Sequence, residues 1–253
     1  MALPFPRPST LPPGFTMSRC TPADVPDTEA FVGTECTYWW GPNPAMRAWN
    51  EERIRRRFVD PNTQQFKVVD DASGEIVAWS KWDPPPRMTG LREGFVVYNE
   101  AGEPIDANEQ GGSEVHEGEG KDEGETSGAS AKKYALGPPE GSNAVLFREF
   151  FDSIVGMEKK YNTKDKLVLT HLCARPTYHS RGIGAALLDS VLQLADKEGL
   201  PAYLESTRFA TTLYKRHGFE VVDKLEFDRT EAGLEGTAIL NIMIREPRVA
   251  GGN

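Results

Sequence analysis

The sequence predicts a single α/β domain built on a mixed sheet, and three observations carry that expectation. Short β-branched or apolar runs alternate with longer helical patterns, in the order β α α β β, then α β α β α β β. A hairpin in the first half is followed by strands that each connect through a helix. The 253 residues, 38% hydrophobic and 26% charged, suffice to bury a core of their own.

Taken in order, residues 1–14 ("MALPFPRPSTLPPG") are proline-rich and read as an irregular arm. "MSRCT" forms a short strand. Thr21 then caps a helix, with Pro22 in its first turn and Asp24 at the capping-box position. "NPAMRAWNEERIRRRFVD" is a second helix. A β-branched strand over 65–70, a turn at 71–74 and a strand through Trp82 make the hairpin, which "DPPP" ends. Residues 142–161 place Val145, Phe147, Phe150, Phe151 and Val155 at helical spacing. Residues 166–174 form a strand closed by Pro176. The next helix carries Ile183, Leu187, Val191 and Leu194 on one face and stops at Gly199 and Pro201. "PAYLES" is a strand, "TRFATTLYKRHG" a short helix, and "FEVVDKLEF" and "TAILNIMIREP" are the last two strands. The domain therefore spans 15–247, with 248–253 as a flexible tail.

Charge and cysteine usage exclude several function classes. Between Asp106 and Glu125 eight acids face one base, so this stretch holds −7 of the net −9 and the rest is nearly neutral. Gly, Glu and Ser dominate around it, and 106–132 reads as a disordered acidic insertion that cannot bury enough apolar surface to offset ordering. No basic face points to nucleic acid, no apolar run is long enough to span a bilayer, and the N-terminus lacks a secretory h-region. Cys20, Cys36 and Cys173 lack CxxC spacing, so neither a disulfide framework nor a metal site is expected. The compartment reads as reducing and cytoplasmic.

"YHSRGIGAALL" (178–188) is the stretch with chemistry in it. Gly182 and Gly184 let a ligand approach the backbone, and the amides that open the following helix have no intrahelical partners. A diphosphate fits there, with Arg181 adding a charge-assisted contact. A Walker A loop would need Gly-Lys-Ser/Thr, which is missing. A dinucleotide fingerprint would need a third glycine where Leu187 stands, and its glycines would follow the strand at once, whereas residues 175–181 intervene. A glycine-softened helix start is the plain structural alternative.

The flanks of this stretch resemble the GCN5-related N-acetyltransferase (GNAT) superfamily. Its diphosphate motif, Arg/Gln-x-x-Gly-x-Gly/Ala, aligns with His179, Ser180, Arg181, Gly182, Ile183 and Gly184, the departure being His179. A second signature matches Ala210, Leu213, Tyr214, Gly218 and Phe219. The resemblance spans about residues 15–245 outside the insertion. It implies a mostly antiparallel central sheet flanked by helices, with two parallel strands splaying apart to admit the acyl-CoA. Acetyl-CoA is the implied cosubstrate, without a metal. Its pantetheine would bond the backbone at Leu172, Cys173 and Ala174, and its diphosphate would sit on residues 179–185, ending at Ala185. Thr207, Ala210 and Tyr214 would complete the cofactor contacts.

The resemblance further implies direct attack by an amine, with Tyr214 as general acid toward the leaving thiolate. A core-packed tyrosine is the alternative. Glu205, at the end of the neighbouring strand, is the expected base; Leu172, Thr170 and Val168 offer none. His171 is one residue out of phase, so it points to the opposite sheet face and reads as structural. Cys173 reads as a small strand residue, and His116 and His217 as exposed. Trp39, Trp40, Trp79 and Trp82 are the expected acceptor pocket. "EERIRRR" (51–57) reads as a solvated helix face, with the CoA 3′-phosphate as an alternative contact. The expected activity is acetylation of a small-molecule primary amine by a monomer or homodimer. A non-catalytic acyl-CoA sensor and a protein or peptide acetyltransferase remain as alternatives.

Overall fold

The structure, a computed structural model, describes residues 3–25, 44–105 and 137–248. Trp39, Trp40, Cys36, His116, most of the first expected helix, the acidic insertion and residues 249–253 lie outside the described residues.

Seven strands make one sheet: β1 (Phe15–Arg19), β2 (Gln64–Asp70), β3 (Ile76–Asp83), β4 (Leu167–Ala174), β5 (Ala202–Thr207), β6 (Glu220–Asp228) and β7 (Thr237–Arg245). They lie in the order β1-β2-β3-β4-β5-β7-β6. Every neighbouring pair is antiparallel except β4 and β5. That exception requires a crossover, and the helix α3 (Ile183–Lys197) supplies it. The remaining helices are α1 (Pro44–Arg56), α2 (Ala144–Lys160) and the short α4 (Thr211–Arg216). Among the described residues no helix is long and apolar enough to cross a membrane.

Two layers cover the sheet. On one face α3 buries Ile183, Leu187 and Val191 against Leu167, Leu169, Ala202, Leu204 and Met243. The N-terminal arm joins this core. It has no regular structure, yet Phe5 and Leu11 are buried, and the Phe5 ring lies 5.1 Å from that of Phe66. On the opposite face α1 and α2 pack on β6 and β7 through Met46, Phe147, Phe151, Phe227 and Leu240. Asn143 caps α2, its side-chain oxygen accepting from the amides of Val145 and Leu146 at 3.0 and 3.1 Å. Val145, expected in the apolar stripe, is 68% exposed, and the buried stripe is Leu146, Phe147, Phe151 and Ile154. The first helix survives among the described residues as a 3-10 turn, Pro22–Asp24, whose Asp24 carboxylate accepts the Thr21 amide at 2.7 Å.

The parallel pair is short. Only Leu167, Val168 and Leu169 of β4 pair with β5, opposite Ala202, Tyr203 and Leu204. Beyond that point β4 stays on β3 while β5 stays on β7 through Thr207. The two strands part company in the middle of the sheet, and the gap begins there.

Candidate active site

The upper half of β4 presents a free backbone edge to this gap. The amide of Arg175 donates to the Val77 carbonyl at 2.9 Å, which fixes the phase of the antiparallel ladder. Ladder groups alternate between edges, so Arg175 and Cys173 face β3 while Leu172 and Ala174 face the gap. An extended ligand arm can therefore pair with Leu172 and Ala174 as an added strand does. The Ala174 carbonyl accepts a hydrogen bond from His179 Nε2 at 2.9 Å, so the departure from the family motif folds back onto the end of this strand.

The gap leads to the start of α3. Gly182, with φ +80°, occupies the N-cap, a left-handed conformation that glycine adopts without strain. No side chain caps the helix, and the first intrahelical bond in this turn is Ala186 N–H to the Gly182 carbonyl. The amides of Ile183, Gly184 and Ala185 thus open the helix at its positive end, ready for an anion. Ser180 has φ +60° and is exposed, and Arg181 stacks over Tyr178 at 4.8 Å. The Tyr178 hydroxyl is itself held by Asp70 at 2.8 Å.

At the other side of the gap, a small network fixes α4. Ala210 is its N-cap, with Thr207 at the end of β5. Thr211 Oγ1 donates to the Thr207 carbonyl at 3.1 Å and accepts from Asn241 Nδ2 at 2.9 Å. One turn on, Tyr214 is 6% exposed, its ring 5.9 Å from Phe219. Burial, and then the nearby Cys173, push its phenol well above the usual range, so it is neutral at working pH. The Cys173 thiol is raised to about 11 by burial, with Arg57 pulling the other way. A thiol so raised is protonated at neutral pH and inert as a nucleophile.

A bulge changes which side chains share a face. Lys81 pairs with His171 and Trp82 with Leu169, so Thr170 is an extra residue in β4 at the point where the gap opens. Lys81 Nζ donates to both Asp83 oxygens at 2.7 Å and to Thr170 Oγ1 at 3.1 Å, while the Thr170 hydroxyl donates to the Lys81 carbonyl at 3.3 Å. The phase argument over Val168, Thr170 and Leu172 fails because of this extra residue. Leu172 and Ala174 turn toward α3, and Val168 packs on the other face with Tyr203 and Ile242. His171 does point away from Leu172 and Ala174, as its phase requires. Glu205, however, alternates with Leu204 and shares the Tyr203 face, so the expected base and His171 lie on one side of the sheet at the mouth of the gap.

The tryptophans separate. Trp79 stacks on His171, centroids 5.3 Å apart and 20° between planes, on the Glu205 face. Trp82 is fully buried in the α3 core, its indole N–H donating to Ser80 Oγ at 3.1 Å. It lines no acceptor pocket, because the β3 alternation turns it to the opposite face. His217 is not exposed either: Nδ1 donates to the Leu213 carbonyl at 2.9 Å and Nε2 lies 3.2 Å from Asp189. The expectation of a solvated 51–57 face fails at one residue. Arg55 and Arg56 are exposed, but Arg57 is buried, its guanidinium 5.6 Å from the Trp79 ring centroid. A sequence signal for it existed: Met46, Asn50, Ile54 and Arg57 recur at spacings of four, four and three, one stripe of α1 and its exit.

A free backbone edge thus opens into an uncapped helix start, with a neutral phenol beside it. A family model described as an acetyltransferase (GNAT) domain matches residues 126–237. A probable acyltransferase, SID5, of Ajellomyces capsulatus is 45% identical over 56 residues, 22% of this chain and 40% of the relative's length. A histone acetyltransferase HPA2-related acetyltransferase of Corynebacterium glutamicum superposes with a TM-score of 0.50 at 20% identity, over 94% of this chain and 99% of the other. A mosquito arylalkylamine N-acetyltransferase-like protein, 5b, gives 0.54 at 12% identity over 92% and 99%. Over residues 126–237 the chain is similar to the GCN5-related N-acetyltransferase superfamily, and its fold is the one those structures share.

Proposed function

We propose that the protein is an acetyl-CoA-dependent N-acetyltransferase that acts on the primary amine of a small molecule. The observation that carries this reading is the alignment of two features along one gap. The backbone of Leu172 and the amide of Ala174 offer an open strand edge at one end, and the amides of residues 183–185 offer an anion cradle at the other. Pantetheine pairs with the edge, and the diphosphate sits on the amides with Arg181 beside it.

The amine nitrogen attacks the thioester carbonyl carbon directly, the C–S bond breaks, and the N–C bond forms. Glu205 accepts, through water, the proton that turns the ammonium into the free amine, and the second proton that the nitrogen sheds as the N–C bond forms passes to the departing thiolate to give the CoA thiol. The Tyr214 hydroxyl hydrogen-bonds the departing thiolate. A neutral, half-buried Cys173 favours this route over a covalent acyl-enzyme. The reaction takes place in the cytoplasm.

Two measurements test the reading. Saturating acetyl-CoA should raise the melting temperature, and thiol release should follow addition of primary amines. Absence of any stabilisation overturns the cradle, and stabilisation without turnover over a broad amine panel makes the protein a sensor instead.

A further inference from the structure

We infer that Arg57 anchors a carboxylate on the acceptor, so that the amine acetylated here is an amino acid or another amino-carboxylic acid. This rests on the acetyltransferase reading above and names its substrate class. Arg57 is 9% exposed, and its Nη1 is buried without a hydrogen-bond partner among the described residues. Its guanidinium forms no ion pair among the described residues either. Burial lowers it to about 9, with Arg53 next in effect, so it still carries its charge at neutral pH. Asp83 favours the charge from nearby, but a buried cation whose Nη1 finds no hydrogen-bond partner still costs folding free energy, and folded proteins almost always satisfy such groups.

Among the described residues no unengaged acid stands beside it. Asp83 is the nearby acid, and Lys81 and Thr63 already engage it at 2.7 and 3.0 Å. The void beside Arg57, lined also by Cys20, Thr63 and Gln65, has room for about 10 Å³, roughly one water. A water there accepts a hydrogen bond but cannot balance a charge. The guanidinium carbon lies 5.6 Å from the Trp79 ring centroid, and a carboxylate is the acceptor that meets a guanidinium edge with two parallel hydrogen bonds. A second buried donor without a partner among the described residues, Asn50 Nδ2, lies two turns earlier on the same stripe.

Location ties this anchor to the chemistry. Trp79 pairs with Cys173 on the gap segment of β4 and stacks on His171. Arg57 and Tyr214 both lie within electrostatic reach of the Cys173 thiol. An anion held by Arg57 therefore sits beside the gap segment of β4, on the face that carries Glu205.

The test uses the full chain and matched acceptors with and without a carboxylate: tyrosine and tyramine, 4-aminobutyrate and butylamine, lysine and cadaverine. The carboxylate member of at least one pair should be favoured in kcat/KM by about tenfold or more. Arg57→Met should erase that preference through KM, and leave the KM for acetyl-CoA and the turnover of the uncharged partner unchanged. Arg57→Lys should keep part of it. Arg57→Met should melt no lower than wild type, since it removes a buried charge with an unsatisfied donor; if it does not fold, Arg57→Lys and the wild-type preference decide. Equal use of both members in every pair, or an equal loss for both in Arg57→Met, overturns the carboxylate anchor while the acetyltransferase reading stands. No stabilisation by acetyl-CoA overturns both.

Discussion

Replacing Tyr214 by phenylalanine removes one hydroxyl from a ring that is 6% exposed and already packed on Phe219. The size of the effect follows from acidity. The leaving CoA thiol has an ordinary pKa of about 8.5, whereas burial and Cys173 hold the phenol above its own usual value. A phenol so raised is a weaker acid than the thiol, so complete proton transfer to the thiolate runs uphill. Its contribution is then that of a hydrogen bond to a developing charge, about 1.5–3 kcal/mol, not the 10²–10⁴-fold of full acid catalysis at the upper end. Tyr214→Phe should lower the single-turnover acetyl-transfer rate by about 10- to 150-fold. The KM for acetyl-CoA should change by less than about threefold, since the contact strengthens only as the C–S bond breaks. The sign of the pH effect is also set: a raised phenol stays protonated, so its loss of a proton causes no fall in rate between about pH 7 and 9. The assay is rapid-quench acetyl transfer at saturating acetyl-CoA, with thiol release as the second readout. A single-turnover rate within twofold of wild type would remove Tyr214 from the reaction.

Two further outcomes follow from the scaffold. Gly182→Ala forces a Cβ into φ +80°, where the nearest atom, the Thr10 carbonyl oxygen, is an ordinary 3.7 Å away, so the cost is conformational at about 1–2 kcal/mol. Its melting temperature should fall by about 2–8 °C, while Gly184→Ala, whose Cβ meets Leu213 Cδ2 at 3.7 Å, should leave it unchanged; equal losses for both would show that the left-handed N-cap is not the cause. Arg245, 3% exposed, donates two bonds of 2.7 Å to Asp196. Burial alone would raise the Asp196 carboxyl, but Arg245 and the Arg248 amide override it and hold it below its usual value. Stability from this pair is therefore complete above about pH 4, the unfolded value, and is lost as pH falls through the lower folded value. Asp196→Asn should cost about 2–3 kcal/mol at pH 7 by chemical denaturation, and its deficit relative to wild type should shrink on acidification; a deficit independent of pH would refute the linkage.

The order of the strands, the glycine-led start of α3 and the place of Tyr214 on a short helix were legible in the sequence. Each depends on contacts within a few residues, namely helix periodicity, a glycine at a left-handed cap, and a short helix between two strands. Residues whose roles depend on a partner strand were not legible. Strand alternation reads side-chain faces correctly until a bulge adds a residue, and the bulge at Thr170 exists only through the pairing of β4 with β3 and the Lys81–Asp83 contacts. That one residue puts Val168 on the face opposite Leu172. It is also why Glu205 and His171 end on one side. Trp79 and Trp82 look alike in sequence, yet the sheet turns one to the gap and the other into the α3 core. Arg57 belongs to a charged run, "EERIRRR", that any reading of composition assigns to solvent. The packing of α1 on the sheet buries one of its four arginines against Trp79, because burial is set by what the rest of the chain brings to that face.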